Sequence, residues 1–194
     1  MDEEDRGDLL PLEKKGVFVG IGSNMGNRLD YCRKAVRALQ LADGIRIDRV
    51  SSLYETSPIG FLEQNLFYNA VVAIETLLSP KALLQRCQAI ERAFGKQVSV
   101  PKGPRTIDLD LLFYHRRIFH SQALTLPHPE AAKRRFVLVP LAEIAPDFVH
   151  PTVHDTVRNL LKRFPPDRLE CVEKRLPSGW QAERTGKGAH EGDL

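Results

Sequence analysis

Cysteine is scarce and badly spaced for cross-linking. Cys32, Cys87 and Cys171 are odd in number and far apart, which argues against a disulfide framework and a cysteine-based zinc site. His115, His120 and His128 do not follow a zinc-ligand spacing either. No apolar stretch approaches membrane-spanning length. The acidic start, Met1-Asp2-Glu3-Glu4-Asp5, lacks the apolar core of an export signal, so the cytoplasm is the expected compartment. There is no long basic run and the net charge is only +3, so bulk electrostatics do not mark a nucleic-acid binder. Internal repeats and long low-complexity segments are also missing. What remains is a chain of 194 residues, 42% hydrophobic and 27% charged, the composition of one globular domain with a sizeable core.

Residues 1–15 are polar and expected to be mobile. Gly16 to Gly22 reads as a short buried strand. Leu29, Cys32, Val36 and Leu39 form the apolar stripe of a helix that starts near Asn27 and is punctuated by Gly44. Ile45, Ile47 and Val50 to Tyr54 predict a strand ending before Ser57-Pro58, and Phe67 to Thr76 predicts another. Ser79-Pro80 opens a second helix as N-cap and first helical residue. Leu83, Leu84, Cys87, Ile90 and Phe94 line its buried face, and Gly95 stops it. A strand over Thr106–Tyr114 follows, with Ile118-Phe119 as a hairpin partner. Helical turns are expected at Glu130–Lys133 and Val139–Ile144, and a last helix over Asp155–Phe164. Composition then predicts a loosely ordered tail over 165–194. The order βαββαβ implies an α+β fold with a predominantly antiparallel sheet and helices packed on it.

The segment Gly103-Pro104-Arg105-Thr106-Ile107-Asp108-Leu109-Asp110 carries the strongest chemical signal. Strand side chains alternate, so Asp108 and Asp110 share one face while Ile107, Leu109 and Leu111 point to a core on the other. Two neighbouring carboxylates repel and resist desolvation, a cost that a divalent cation offsets. Alone, an Asp-x-Asp more often just faces water. Beside Arg105, a phosphate-pairing cation, it suggests a nucleotide held through Mg²⁺.

Gly20-Ile21-Gly22-Ser23-Asn24-Met25-Gly26 fails the dinucleotide-loop spacing, because the third glycine falls at Met25, and it lacks the Lys-Ser/Thr ending of a P-loop. It reads as a tight strand-to-helix turn, with glycines for backbone freedom and Asn24 for local hydrogen bonds. Phe67 and Asn69 share a strand face, an arrangement suited to stacking on a flat heterocycle and bonding its edge. Pro127-His128-Pro129-Glu130 and Lys133-Arg134-Arg135-Phe136 add an imidazole, three cations and an aromatic ring.

Together these segments resemble the 6-hydroxymethyl-7,8-dihydropterin pyrophosphokinases of folate synthesis. The resemblance runs from about Val17 to Pro151 and includes Gly22-Ser23-Asn24, Tyr54 to Gly60, Phe67-Tyr68-Asn69-Ala70, Gly103 to Asp110, Pro127-His128-Pro129, Arg134, Phe136 and Pro140-Leu141. It implies a ferredoxin-like βαββαβ core in three α/β/α layers, with the enzyme domain over 16–164. It also implies a reaction in which the pterin hydroxymethyl oxygen attacks the β-phosphorus of ATP and AMP leaves. By correspondence, Asp108 and Asp110 hold two Mg²⁺ ions, and Arg105 and Lys96 join them as catalytic residues. Thr56, Ser57, Pro58, Ile59, Gly60, Phe67, Asn69 and Phe136 bind the pterin, with Phe67 and Phe136 sandwiching it. Gln88, Glu91, Arg105, Leu111, Thr125, His128 and Arg134 contact ATP. The implied partners are small molecules, with no nucleic acid or membrane, and the chain is expected to be a monomer or weak dimer with a single activity.

Three positions depart from the family pattern. Lys96-Gln97-Val98-Ser99 stands where many relatives have paired arginines, Lys102 replaces a tryptophan, and Phe67 replaces a stacking tyrosine. Lysine neutralises phosphate but lacks the bidentate fork of arginine, so weaker or differently organised closure of this loop over ATP is expected, with the metal and pterin sites intact. Two other readings are weaker. One is a ferredoxin-like binding module, for RNA or as a regulatory ligand domain; an RNA-recognition sheet would show aromatic motifs on adjacent central strands, which are absent, and the paired aspartates would repel phosphates unless metal intervened. A kinase transferring only the γ-phosphoryl group would release ADP rather than AMP.

Overall fold

The computed structural model describes residues 16–59, 63–96, 103–163, 172–178 and Trp180. The expectations placed on Gly60, on Gln97 to Lys102, on 1–15 and on the remainder of the tail lie outside these residues. In chain order the elements are β1 (Val17–Ser23), α1 (Arg28–Leu41), β2 (Ile45–Val50), β3 (Leu53–Thr56), β4 (Phe67–Thr76), α2 (Pro80–Ala93), β5 (Asp108–Tyr114), β6 (Phe119–His120) and β7 (Thr125–Leu126). A 3₁₀ turn (Ala131–Lys133), α3 (Arg135–Ile144), α4 (Val157–Arg163) and β8 (Val172–Arg175) follow. Among the described residues no helix is long and apolar enough to cross a membrane.

Local chemistry accounts for the helix ends. The Asn27 side chain accepts the Asp30 N–H, and the Ser79 side chain accepts the Ala82 N–H ahead of Pro80 at the first helical turn. Gly95, at φ +75°, takes the left-handed conformation that ends α2.

The main sheet is antiparallel in the order β5-β1-β4-β3-β8, with β2 also paired to β4. β2 and β3 run along the same side of β4 and are separated by two buried serines. The Ser51 hydroxyl accepts the Val71 N–H at 2.9 Å, in place of a backbone carbonyl. The Ser52 N–H and hydroxyl both donate to Glu143 on α3, each at 2.8 Å.

Alternation along the strands builds two cores. Val17, Val19, Ile21, Val72, Ile74, Leu109 and Leu111 pack beneath α1 and α2. Phe18, Val71, Ala73, Leu112 and Phe113 pack against α3 and α4 on the opposite face. A register shift opposite Phe18 and Val19 inserts Leu112 as an extra residue in β5. Beyond that bulge Phe113 shares a core with Leu112, and Tyr114 turns back to the α1/α2 side.

Three expectations need correction. Ile118-Phe119 does not pair with β5: Phe119 and His120 pair with Leu126 and Thr125 in a separate two-stranded hairpin. The helix expected over Val139–Ile144 begins four residues earlier, at Arg135, since a proline inside the run masked its periodicity. The chain beyond 165 is not uniformly loose. Val172–Arg175 adds β8 to the sheet edge alongside β3, and Trp180 is fully buried in the α1/α2 core with its indole N–H on the Ser51 carbonyl at 3.0 Å. Polar composition concealed this, because β8 exposes most of its side chains and gains its order from backbone pairing.

Trp180 is the only tryptophan in the chain. Trp180→Ala is expected to lower unfolding free energy by about 3–5 kcal/mol through loss of a large buried side chain. Chemical denaturation followed by circular dichroism checks this, and a loss below about 1 kcal/mol would show that the segment is only loosely attached.

Candidate active site

One sheet face is left uncovered beyond the N-terminal end of α3, and there the register of β1 creates a trench. Gly20 lies opposite Asp110 and Gly22 opposite Asp108 on the β5 side. On the β4 side the same glycines lie opposite Val71 and Asn69. A Cβ on Gly22 would sit 3.0 Å from Asn69 Oδ1, and one on Gly20 would press on Leu112 at 3.4 Å. Neither glycine has a positive φ. They are therefore needed for their missing side chains, whereas the sequence suggested backbone freedom in a turn. That freedom belongs to Gly26, at φ +55°.

A cavity of about 300 Å³ occupies the trench, at the lower end of small-molecule sites. Asp108, Asp110 and Arg105 line one side, Phe67 and Asn69 the other, with Thr56, Ser57, Ile59, His128, Arg134 and Phe136 around the rim. Eleven of the residues singled out from sequence thus meet in one space. Pro58, Gln88, Glu91, Lys96, Leu111 and Thr125 are not among its lining residues. Gln88 is exposed on α2, Leu111 faces the α1/α2 core, and Thr125 Oγ1 lies 3.0 Å from His120 Nδ1 in the hairpin. Gln64, which carried no sequence signal, also lines the cavity.

Charge is partitioned unevenly at the carboxylates. Asp108 pairs with the Arg105 guanidinium through Oδ2 and with Lys96 Nζ, 2.5 Å from Oδ1. The same ammonium lies 2.7 Å from Glu91 Oε1, which also accepts the Leu109 N–H at 2.7 Å. Burial opposes ionisation of Asp108, but Arg105 and Lys96 outweigh it and hold the carboxyl below its usual range. Asp110 has no ion pair among the described residues. Burial, reinforced by the neighbouring Asp108 charge, pushes it up to about 6. Burial likewise raises Glu91, against the pull of Lys96 and the Leu109 N–H.

The phosphate-type donors are held from outside the cavity. Asn24, 1% exposed, accepts the Arg105 N–H at 2.8 Å and donates its own N–H to the Arg105 carbonyl at 3.2 Å. The Ser23 hydroxyl donates to the Thr106 carbonyl at 2.6 Å. The Gly-Ser-Asn turn therefore positions the arginine segment some 80 residues away, a long-range task that local reasoning about Asn24 missed. His128 donates its backbone N–H to Leu112 and accepts the Glu130 N–H on Nδ1 at 3.2 Å. That leaves Nε2 to carry the proton. Burial, aided by the Arg134 charge, lowers the His128 pKa and favours the neutral ring.

The opposite wall is built for a flat polar ring. Asn69 Nδ2 donates to Thr56 Oγ1 at 2.6 Å, which turns Oδ1 over Gly22 as an acceptor. The Arg105 and Arg134 guanidinium carbons lie 5.9 Å and 5.5 Å from the Phe67 and Phe136 ring centroids.

Comparison with known proteins points to one family. The model of the 7,8-dihydro-6-hydroxymethylpterin-pyrophosphokinase family matches residues 18–146. A Methylorubrum extorquens protein named 2-amino-4-hydroxy-6-hydroxymethyldihydropteridine pyrophosphokinase is 43% identical over 157 residues, 81% of this chain and 98% of its own length. The Pneumocystis carinii folic acid synthesis protein fol1 is 42% identical over 153 residues, 79% of this chain; the chain spans only 20% of that protein's length. The Plasmodium falciparum HPPK-DHPS crystal structure superposes with a TM-score of 0.62 at 15% identity, covering 77% of this chain and 44% of that one. That likeness shows the fold.

The raised Asp110 pKa makes a signed prediction for metal-free protein. Its folded value of about 6 lies above the ordinary aspartate value of 3.8, so the associated stability is present below the lower value and lost as pH rises through the higher. Asp110→Asn should therefore raise the melting temperature at pH 8 in EDTA, by about 1–3 kcal/mol of stability, with the gain shrinking toward pH 5. An equal gain at both pH values, or a loss at pH 8, would contradict the assignment.

Proposed function

The chain belongs to the 7,8-dihydro-6-hydroxymethylpterin-pyrophosphokinase family, and we propose that it transfers a pyrophosphoryl group from ATP to 6-hydroxymethyl-7,8-dihydropterin in folate synthesis. The hydroxymethyl oxygen forms a bond to the β-phosphorus. The bond from that phosphorus to the α,β-bridging oxygen breaks, AMP departs with the bridging oxygen, and the hydroxyl proton is released. The observation that carries this reading is the shared glycine floor, which sets a carboxylate wall and an aromatic-amide wall on either side of one cavity.

On the second wall, Phe67 and Phe136 offer ring faces to the pterin, and Asn69 Oδ1 accepts from its edge. Thr56 holds the amide in that orientation, and Ser57 to Gly60 supply backbone groups. On the first wall, Arg105, Arg134 and the His128 Nε2–H reach triphosphate oxygens. Gln88, Glu91, Leu111 and Thr125 complete the ATP contacts, Leu111 through its backbone because its side chain is committed to the core.

The donor set fits Mg²⁺. Asp108 and Asp110 share a face, and Asp110 makes no direct ion pair among the described residues, the charges of Arg134, Lys96 and Arg105 offsetting its burial only in part. No group of three or more potential ligand side chains occurs among the described residues, consistent with ions whose remaining ligands are water and phosphate. Asp108 and Asp110 would hold two Mg²⁺ ions there, which would supply positive charge against the triphosphate and the charge that develops on it. Catalysis otherwise rests on positioning, and no side chain has to act as a strong base.

Incubation with Mg²⁺, ATP and the pterin should yield AMP and the pterin diphosphate, separated by anion-exchange chromatography. ADP, or no nucleotide product, would refute the reading. Asp108→Asn and Asp110→Asn should each lower turnover at least about a hundredfold, the consequence of losing several kcal/mol of charge stabilisation.

A further inference from the structure

We propose that Lys96 is an internal stand-in for the metal: its ammonium occupies Asp108 in the nucleotide-free enzyme and transfers to the triphosphate when metal and nucleotide arrive together. The inference rests on the reading that Asp108 is a metal ligand, and it concerns what this chain does before metal binds. Lys96 Nζ is 2.5 Å from Asp108 Oδ1 and 2.7 Å from Glu91 Oε1. The remaining Asp108 oxygen, Oδ2, pairs with Arg105. Both oxygens of the proposed ligand are therefore capped by the protein's own cations. A divalent ion entering alone must displace one of them and take from a partly buried positive charge one of its carboxylate partners, which is costly.

The two capping cations differ in how readily they can leave. Arg105 is anchored through its backbone to Asn24 and through its Nε–H to the Gly103 carbonyl at 3.3 Å. Lys96 is held at its tip by two carboxylates and lies just past α2, its side chain 30% exposed. A compact ammonium on a flexible stem has little else to break. Glu91 is fixed by the Leu109 N–H, so it keeps Lys96 beside the site after Asp108 is surrendered. A triphosphate then supplies the anion that Lys96 has lost. Metal alone meets an occupied ligand, whereas metal with nucleotide exchanges one ion pair for another. Lys96 thus couples the two binding events, and that coupling is reciprocal.

The test measures Mn²⁺ binding by electron paramagnetic resonance, without nucleotide and with saturating α,β-methylene-ATP, whose α,β linkage cannot be cleaved. Wild type should bind Mn²⁺ weakly alone and much more tightly with the analogue. Lys96→Met should tighten nucleotide-free Mn²⁺ binding about tenfold and reduce the coupling factor by a similar amount. Lys96→Arg, which restores a cation, should retain wild-type coupling. A merely nearby positive charge predicts equal tightening in both states. That result, or unchanged binding in Lys96→Met, overturns the proposal. Melting curves in EDTA establish that each variant is folded, and Lys96→Gln takes the place of Lys96→Met if the latter is not. AMP formation by wild type is scored separately. Failure there refutes the activity, whereas preserved coupling in a folded Lys96→Met protein refutes only the stand-in role.

Discussion

The antiparallel register of β1 between β4 and β5 is the constraint from which the site follows. It sets Gly20 and Gly22 in the middle of the sheet, between two aspartates on one side and Val71 and Asn69 on the other. Any side chain at these positions would enter the cavity. The strand interior tolerates glycine poorly as a rule, and here that cost is offset by a dense core on the reverse face, where Val17, Val19 and Ile21 are buried. The sheet is thus solid beneath α1 and α2 and hollow above, and the hollow is where both proposed substrates meet.

Electrostatics divide the labour along the same line. The carboxylate wall is nearly neutralised by direct ion pairs at Asp108 and only partly compensated, by more distant cations, at Asp110, so the two acids respond oppositely to the same surroundings. The aromatic wall carries no acid and fixes its amide by a neutral hydrogen bond to Thr56. Such a division suits one charged and one largely neutral substrate. The supporting residues lie further out: Asn24 and Ser23 hold the arginine segment, while Glu143 ties β3 to α3 through Ser52 and Tyr54. The second of these ties keeps Thr56 and Phe136, carried by the joined elements, in a fixed relation.

Much of the architecture was legible because local and global preferences agree. Ser79-Pro80, Gly95 and the alternation of Asp108 to Leu111 each have one local solution, and the tertiary structure adopts it. Legibility failed where partners are remote. Asn24 could be read only as a turn residue, since nothing local shows that Arg105 lies against it. Gly20 and Gly22 resembled turn glycines because their neighbours on β4 and β5 are invisible from β1 alone. Leu112 broke the alternation through a bulge set by pairing, and Trp180 lay in a stretch whose average polarity hid one buried ring. Glu91 and Lys96 entered only by family resemblance, and it is the fold that brings them to Asp108.

The measurement that tests this account most directly is Gly22→Ala, read as turnover together with thermal stability. The added methyl meets Asn69 Oδ1 at 3.0 Å, in a strand with ordinary backbone angles. If Gly22 is the floor of the site, stability should stay within about 1 kcal/mol of wild type. Turnover of the pterin should fall about a hundredfold, the scale of a misplacement near 1 Å. Wild-type turnover in a folded Gly22→Ala protein would contradict the account.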